Sequence, residues 1–258
     1  MKNLMRYLFG RFYFVKFSKI LSYKGSWLKG SFHGYGILKR KSGGVYEGNF
    51  RFGVKHGLGV FKSSSGFQYT GEWVDGEQTG SAKIVYKNGD WYSGFVKNGV
   101  RYGLGELFEK SSQRIFKGQW LDGTLAGEVQ ITGTEWKFSG PFPDQQGRTL
   151  GTIIYSDGSS YVGELLKFSR FGFGELTSKS GSQISGSWLD DTTVNSATIN
   201  DDQGIQWYGA LENLKPHGFM KVLLPNGQNY DGVWLNGDLQ RVLSVRNKMN
   251  VEPVYRVH

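Results

Sequence analysis

The sequence predicts an all-β protein, an elongated array of stacked antiparallel β-hairpins without a catalytic domain. One observation is a motif that recurs ten times with a period of about 23 residues: an aromatic or apolar residue, any residue, glycine, any residue, and a second aromatic or apolar residue. A second is that further glycines recur in phase with it. A third is composition, because the chain combines 39 glycines in 258 residues with many aromatic residues, unlike flexible or fibrous glycine-rich chains.

The motif opens each repeat, and we number repeat positions from its first residue. Positions 1, 3 and 5 alternate, so in a strand their three side chains point to one face. Glycine at position 3 then leaves a notch in which a ring from a neighbouring strand can lie. The signature residues are Tyr23, Gly25, Trp27, Tyr46, Gly48, Phe50, Tyr69, Gly71, Trp73, Tyr161, Gly163, Tyr230, Gly232 and Trp234.

Glycines at positions 8, 12, 14 and 21 predict the rest of each hairpin. We expect position 8, as in Gly30, and position 21, as in Gly43, to form turns, since positive φ costs glycine little. Positions 12 and 14, as in Gly172 and Gly174, repeat the glycine notch on the second strand. A lone hairpin is marginally stable in water, so successive hairpins are expected to stack and bury their aromatic faces.

These motifs resemble the MORN repeat. Tyr46-Glu47-Gly48-Asn49-Phe50, followed by Lys55-His56-Gly57-Leu58-Gly59-Val60, is similar to that family's Y-x-G-x-W strand, glycine turn and H-G-x-G strand. The resemblance covers residues 23–240 and implies a solenoid-like MORN-repeat ribbon that serves as a scaffold or docking surface. The repeats that depart from the pattern begin at Phe138, Ile184 and Trp207.

The departing repeats are expected to pack differently. Pro141 and Pro143 lie in a repeat that is one residue short, which predicts a bend or an opened edge. Asn195 and Met220 stand where other repeats have second-strand glycines, so those hairpins are expected to differ from the rest.

The positive charge is concentrated at the front of the chain. Residues 1–46 contain ten Lys and Arg and no Asp or Glu, whereas the remainder has 21 basic and 22 acidic residues. We expect residues 1–22 to be a basic aromatic segment that acts as a capping strand, a targeting segment or both. Residues 23–240 then form the repeat array, and residues 241–258 form a basic tail.

Rings within the motif are expected to be buried, so contact residues are sought outside it and in the basic segments. The front end can serve as a docking arm for acidic protein, anionic lipid or RNA. The contact candidates are Arg6, Arg11, Phe12, Phe14, Lys39, Arg40, Lys41 and Arg256.

The sequence contains no recognisable catalytic, metal-binding or cofactor-binding constellation. The absence of cysteine excludes disulfides, thiolate metal sites and a cysteine nucleophile. His33, His56 and His217 share repeat position 11, and we interpret them as structural. The acidic pairs at 190–191 and 201–202 are expected in solvated loops. We therefore predict no enzymatic activity, no cofactor, no metal and no small-molecule substrate.

The leading hypothesis is a non-enzymatic structural scaffold or adaptor, a rigid β-rod that bridges or braces protein subunits of a ciliary, cytoskeletal or organellar complex. The alternative is a peripheral membrane module that binds anionic phospholipid through its basic N-terminal region. Nucleic acid is expected only as a contact of the N-terminal arm. The acid-free basic N-terminus favours a mitochondrial location, whereas the family resemblance also fits a cytoplasmic, ciliary or cytoskeletal one.

Overall fold

A computed structural model describes residues 19–246, which are built from β-strands arranged in two compact units. The first unit ends at Thr134 and the second begins at Glu135. The strands of the first unit are β1 (Ile20–Leu28), β2 (Ser31–Arg40), β3 (Val45–Arg51), β4 (Val54–Lys62), β5 (Gln68–Val74), β6 (Glu77–Val85), β7 (Trp91–Lys97), β8 (Val100–Glu109), β9 (Arg114–Leu121) and β10 (Thr124–Thr132). The strands of the second unit are β11 (Trp136–Pro141), β12 (Arg148–Tyr155), β13 (Ser160–Leu166), β14 (Ser169–Thr177), β15 (Gln183–Trp188), β16 (Val194–Asn200), β17 (Gln206–Glu212), β18 (Lys215–Leu223), β19 (Asn229–Leu235) and β20 (Asp238–Arg246).

Within each unit, every strand pairs antiparallel with the next strand along the chain. The first unit runs in this way from β1 to β10, and the second from β11 to β20. The predicted all-β array of antiparallel hairpins is confirmed. Its first strand begins before Tyr23 and its last strand continues past residue 240 to Arg246.

In the regular repeats, the two predicted turns lie where the glycines indicated, whereas the Tyr161 and Trp207 repeats form the hairpin tip with Phe168 and Leu214 in place of glycine. Phe52 and Gly53 connect β3 to β4 with φ values of 47° and 89°. Two consecutive positive φ angles in a two-residue loop define a type I′ turn, which matches the twist of a hairpin and favours glycine at the second position. Gly66 in the opposite turn has a φ of 93°. The period of the sequence is therefore the length of one hairpin and its connection.

The two glycines of the second strand have different roles, which corrects the prediction that both provide a notch. Gly172 has a φ of 63° and lies at the register shift between β13 and β14, so it is the left-handed residue of a β-bulge. Gly174 instead pairs directly with Gly163 on the neighbouring strand. Position 12 needs glycine for its backbone angle, and position 14 needs glycine for space.

Positions 3 and 14 of successive repeats form a row across each unit, in which most members are glycine or alanine and Val129 and Met220 are larger. In the first unit the paired residues run through Gly25, Gly36, Gly48, Gly59, Gly71, Ala82, Gly94, Gly105 and Gly118. A Cβ atom built on Gly48 would lie 2.5 Å from the Cα of Gly59. The row is thus a shallow channel in one face of the sheet, which we call the aromatic face because of the rings that fill it.

The hairpins that depart from the repeat pattern pack differently, as expected. Pairing between β11 and β12 ends at Ser139 and Thr152, so this hairpin opens before Pro141. In the Trp207 repeat, the Met220 side chain is fully buried, and its Sδ occupies the space above Gly209. The signature prediction that position 5 is buried fails at Trp27, which is 48% exposed, because no described strand lies beyond β1.

Candidate functional site

The aromatic face is organised around the tyrosine at repeat position 1. A Cβ atom on Gly59 would collide with the ring of Tyr46, so the ring lies flat over the paired glycines. The Tyr46 hydroxyl donates a hydrogen bond of 2.9 Å to the carbonyl oxygen of Asn49. The notch is therefore filled by the tyrosine of the same repeat. The equivalent bonds are made by Tyr23, Tyr69, Tyr92 and Tyr161.

Burial keeps these hydroxyls protonated. It raises the pKa of Tyr46 to about 12, because an ionised phenolate would lose hydration in the packed face. The pKa of Tyr92 is raised to about 12 for the same reason, although the positive charge of Arg101 opposes the shift. These tyrosines are hydrogen-bond donors of the fold and are unsuited to acid–base chemistry near neutral pH.

The cationic side chains that stand at repeat position 10 cover the stacked rings of the aromatic face. The Nζ of Lys55 lies 3.9 Å from the ring centroid of Trp73 and 4.8 Å from that of Tyr46. The guanidinium of Arg101 lies 4.3 Å from the Trp120 ring centroid in the same way. Burial, with repulsion from Arg40, lowers the pKa of Lys55 to about 8, whereas the ring faces favour the charged ammonium.

The histidines are distributed along the array and do not converge. The Nδ1 atoms of His33 and His56 each accept a long hydrogen bond of 3.5 Å from the backbone amide of Phe52 and of Asp75, respectively. His217 Nδ1 lies 3.1 Å from a carboxylate oxygen of Glu212. Across residues 19–246, no group of three or more His, Cys, Asp or Glu side chains is placed to hold a metal ion.

One residue of each acidic pair stabilises a turn. Asp190 accepts hydrogen bonds from the amides of Thr192 and Thr193, which lowers the pKa of its carboxyl group. Asp191 accepts from the backbone amide of Arg170 at 2.8 Å. Asp201 similarly caps its turn through the amides of residues 203 and 205. Asp190 and Asp201 thus hold their own turns, whereas Asp191 contacts Arg170 of the preceding hairpin.

An open cavity of about 790 Å³ lies on the first unit, between the turns at residues 65–67 and 86–90 and the hairpin tips at 99–101 and 123. Two of its polar groups are held by intramolecular bonds. Arg101 donates to the carbonyl oxygen of Gly123 at 2.8 Å, and Asp90 accepts from the amide of Lys110 at 2.8 Å. These two side chains are therefore already engaged in hydrogen bonds within the protein.

The opposite face carries a feature that the sequence analysis missed. Repeat position 13 lies between the two second-strand glycines, and its side chain points away from the aromatic face. Leu58 is 66% exposed, Leu104 is 67% exposed and Phe173 is 72% exposed. We call these positions the outer row. Its large apolar members are Tyr35, Leu58 and Leu104 in the first unit and Leu150, Phe173, Phe219 and Val242 in the second.

The outer row had a signal in the sequence. Gly-Tyr-Gly, Gly-Leu-Gly and Gly-Phe-Gly each contain a large apolar residue between glycines, at a position that hairpin packing does not require. The prediction of the hairpins rests on the glycines alone, so the residue between them carried no weight in it. A bulky side chain with no neighbouring Cβ atoms along its strand protrudes from the sheet and is easily reached by another molecule.

The basic contact candidates that can be described lie at one end of the first unit. Lys39, Arg40 and Lys41 are exposed at the end of β2 and in the following turn. The amide of Lys41 donates to the carbonyl oxygen of Lys19 at 3.0 Å, which brings a fourth cation to the same place. The remaining candidates, Arg6, Arg11, Phe12, Phe14 and Arg256, lie outside the described residues.

Comparison with known proteins identifies the repeat. The family model of the MORN repeat matches residues 23–45, 46–67 and 69–91. No curated protein matches the chain. In the part that the structure describes, no helix is long and apolar enough to cross a membrane.

The solved structures that are similar to the chain include the following two. One is the G-box domain of the microcephaly protein CPAP, for which a role in centriole elongation has been suggested; it is 13% identical, with 74% of this chain and 99% of that chain covered and a TM-score of 0.45. The other is the TCP domain of Drosophila melanogaster SAS-4 (dCPAP) in complex with a proline-rich motif of Ana2 (dSTIL), at 12% identity, 69% and 84% coverage and a TM-score of 0.37. Both TM-scores are too low to assign a function.

Proposed function

Because residues 23–91 consist of MORN repeats, we propose that this chain is a non-enzymatic protein-interaction module that works as a scaffold or adaptor in a larger assembly. The observation that carries this proposal is the outer row. Its apolar side chains make up part of the surface and contribute little to the packed aromatic face, where the fold is stabilised. Monomeric proteins seldom expose extended apolar patches, and such patches typically bind other proteins.

The two units support a bridging role. Leu58 and Leu104 lie in the first unit, and Phe173 and Phe219 lie in the second, so each unit presents its own apolar surface. A chain with two such surfaces can hold two subunits of an assembly at once. We assign the assembly to the ciliary, cytoskeletal or organellar class of structural complexes, in which subunits of this kind brace larger components.

Affinity purification with matched variants tests the proposal. The outer-row variant Leu58→Asp/Leu104→Asp removes the apolar contact without touching the aromatic face. The control Phe52→Asp changes an exposed apolar residue in a turn. We expect the wild type and the control to retain the same stoichiometric protein partners and the outer-row variant to lose them. Recovery of the wild type without any stoichiometric protein would contradict the scaffold proposal.

A second candidate is a peripheral membrane module, which the cluster of Lys19, Lys39, Arg40 and Lys41 favours. Each cation near an anionic bilayer contributes about 1 kcal/mol, and salt screens the attraction. Binding to vesicles with and without anionic phospholipid tests it, using Lys39→Glu/Arg40→Glu/Lys41→Glu. The control Lys179→Glu/Lys215→Glu/Lys221→Glu changes the charge equally in the second unit. Only the first variant should lose binding, and no binding of the wild type at low salt rules the candidate out.

A further inference from the structure

The connections between hairpins carry opposite charges in the two units. Each connection is counted with the ends of its flanking strands, as repeat positions 17 to 23. In the first unit the four connections contain seven Lys and Arg and two acidic residues, whereas the four of the second unit contain one Lys and three Asp. The connections of the first unit, which we call the basic turn edge, are residues 39–45, 62–68, 85–91 and 108–114. Those of the second unit are residues 154–160, 177–183, 200–206 and 223–229.

The register aligns the basic turn edge from hairpin to hairpin. Leu38 pairs with Tyr46, and Tyr46 pairs with Phe61, so equivalent residues on this side of the sheet lie level with one another. Successive hairpins are two strands apart, which corresponds to about 9.6 Å. Repeat position 19 lies within each connection and is occupied in turn by Lys41, Ser64, Lys87 and Lys110. The edge therefore presents a line of cations, in which Lys62 stands two residues before Ser64.

Neighbouring turns hold the side chains of this line. A Cβ atom built on Gly89 would lie 2.8 Å from the Cδ of Lys110, so the stem of this lysine lies over the preceding turn. Ser64 lies over Gly43 in the same way, at 2.9 Å. Lys87 and Lys110 are exposed, and neither forms an ion pair within residues 19–246. Their ammonium groups are therefore available to an anionic partner.

The two acidic residues of the edge are engaged in hydrogen bonds within it. Asp90 accepts from the side-chain amide of Asn88 at 2.7 Å and from the backbone amide of Lys110 at 2.8 Å. Glu109 accepts from the hydroxyl of Ser112. In the described part of the chain, neither carboxylate forms an ion pair with a cation of the line. The edge therefore keeps an excess of positive charge.

We propose that the basic turn edge binds an extended acidic segment of a partner protein. An extended chain advances about 3.3 Å per residue, so every third side chain of such a segment meets the next hairpin. A β-sheet also twists by about 20° from each strand to the next, so four successive connections face in different directions. A flexible chain can follow this edge along its length, whereas a flat bilayer contacts only part of it.

The edge is less suited to single-stranded RNA, the other flexible polyanion. Exposed rings that stack on bases normally contribute to the binding of single strands. The four connections of the first unit are fully described, and none of the exposed large apolar side chains lies in them. Carboxylates need only the cations. This site is separate from the outer row, so it gives the proposed scaffold a second means of holding a partner.

Fluorescence anisotropy with the purified full-length chain tests the inference. The probe is a labelled peptide of four Glu-Gly-Ser units, and a peptide of the same composition with its glutamates adjacent is the spacing control. The charge variant is Lys87→Gln/Lys110→Gln. The matched control Lys179→Gln/Lys215→Gln removes two exposed charges from the second unit, where Lys179 also stands at position 19 and lies over Gly158.

We expect the wild type to bind the spaced peptide more tightly than the clustered one at low salt. The charge variant should bind it at least about fivefold more weakly, with the control unchanged. Absence of binding, equal affinity for both peptides or equal weakening of both variants would overturn the inference. Tighter binding of oligouridylate or of anionic vesicles would also overturn it, by assigning the edge to nucleic acid or membrane.

Two further variants keep the test decisive. Lys41→Gln/Lys62→Gln, in the same line, replaces the charge variant if thermal unfolding shows that it has not folded. Leu58→Asp/Leu104→Asp should bind the spaced peptide as the wild type does, because the outer row lies elsewhere. Loss of peptide binding by this variant would contradict the separation of the two sites. If the chain retains partners through the outer row but does not bind the peptide, only the present inference fails.

Discussion

The Tyr46 repeat of the first unit and the Trp207 repeat of the second unit fill the same space with different residues. In the first, the Tyr46 ring lies over Gly59. In the second, Met220 on the opposite strand extends over Gly209, and its Sδ is the atom nearest to that space. In these two repeats, position 14 is glycine where a tyrosine covers it and methionine where the methionine itself fills the space.

This difference shows that the repeat is defined by volume as well as by residue type. A ring and a glycine form one complementary pair, and a flexible thioether facing glycine forms another. Either pair leaves the aromatic face closely packed. A change in one member alone should therefore be more damaging than the matching change in both.

The largest expected effect is the loss of Met220. Met220→Gly removes a fully buried side chain and leaves a cavity, which should lower the free energy of unfolding by about 2–5 kcal/mol. Trp207→Tyr/Met220→Gly recreates the tyrosine–glycine pair and should recover part of that loss. Chemical denaturation of the four members of this mutant cycle measures the coupling. Strictly additive effects would contradict the complementary-pair account.

A smaller loss of folding stability is expected when a larger side chain fills the channel beneath Tyr46. Gly48→Val introduces branched carbons where even a Cβ atom would lie 2.5 Å from the neighbouring backbone, and should cost about 1–3 kcal/mol by overpacking. The control Ser81→Val adds similar bulk at an exposed outer-row position and should leave the melting temperature nearly unchanged. An unchanged melting temperature for Gly48→Val would mean that the channel can widen freely.

Removing one hydroxyl should have a more modest effect. Tyr161→Phe keeps the ring over the glycines but loses the 2.9 Å hydrogen bond to the carbonyl oxygen of Glu164, at a cost of about 1 kcal/mol. Phe138 shows that a ring without this hydroxyl can occupy the site. Tyr208→Phe, whose hydroxyl contacts Gln206 at an exposed position, serves as the control. Equal melting temperatures for both variants would show that the buried bond is energetically neutral.

A pH dependence that originates at Lys55 is expected only at alkaline pH. Its pKa is about 8 in the folded protein and near 10.5 when exposed, so between these values the folded state has lost a proton that the unfolded state still binds. Unfolding free energy should therefore rise with pH across this window, relative to Lys55→Gln, which does not titrate. The difference in melting temperature between the two proteins, measured at several pH values, isolates this group. A constant difference would show that the ring faces offset the effect of burial.

The hairpin array could be predicted from the sequence because its strongest determinants are local. A type I′ turn needs glycine after Phe52, and a ring that lies over the sheet needs glycine beneath it. Both requirements therefore appear in the sequence as glycines that recur with the period of the repeat. The prediction was limited because glycine has two roles in the second strand. Gly172 and Gly174 are the same residue type, but each is required for a different structural reason. Only the backbone angle of one and the pairing of the other separate a bulge from a channel.

The candidate site was harder to predict because it consists of side chains that do not take part in the packed aromatic face. Leu58 and Phe173 have ordinary apolar side chains, and only the alternation of faces shows that they project away from the rings. For Trp27 the error was the opposite one, because a ring predicted to be buried is half-exposed. Its repeat position predicts burial, but burial also needs a neighbouring strand. A periodic sequence describes the interior of an array well and its ends poorly.

The hydrogen bonds between hairpin tips constrain how such a chain can change in length. The amide of Gly76 donates to the carbonyl oxygen of Lys55, and the amide of Gly99 donates to that of Gln78, so each tip is joined to the hairpin immediately before it. Deleting or duplicating one whole period would reconnect equivalent atoms on both sides of the junction. Inserting a single residue within a strand would instead turn every following side chain of that strand to the other face. The protein can therefore gain or lose complete hairpins more easily than it can accept small insertions.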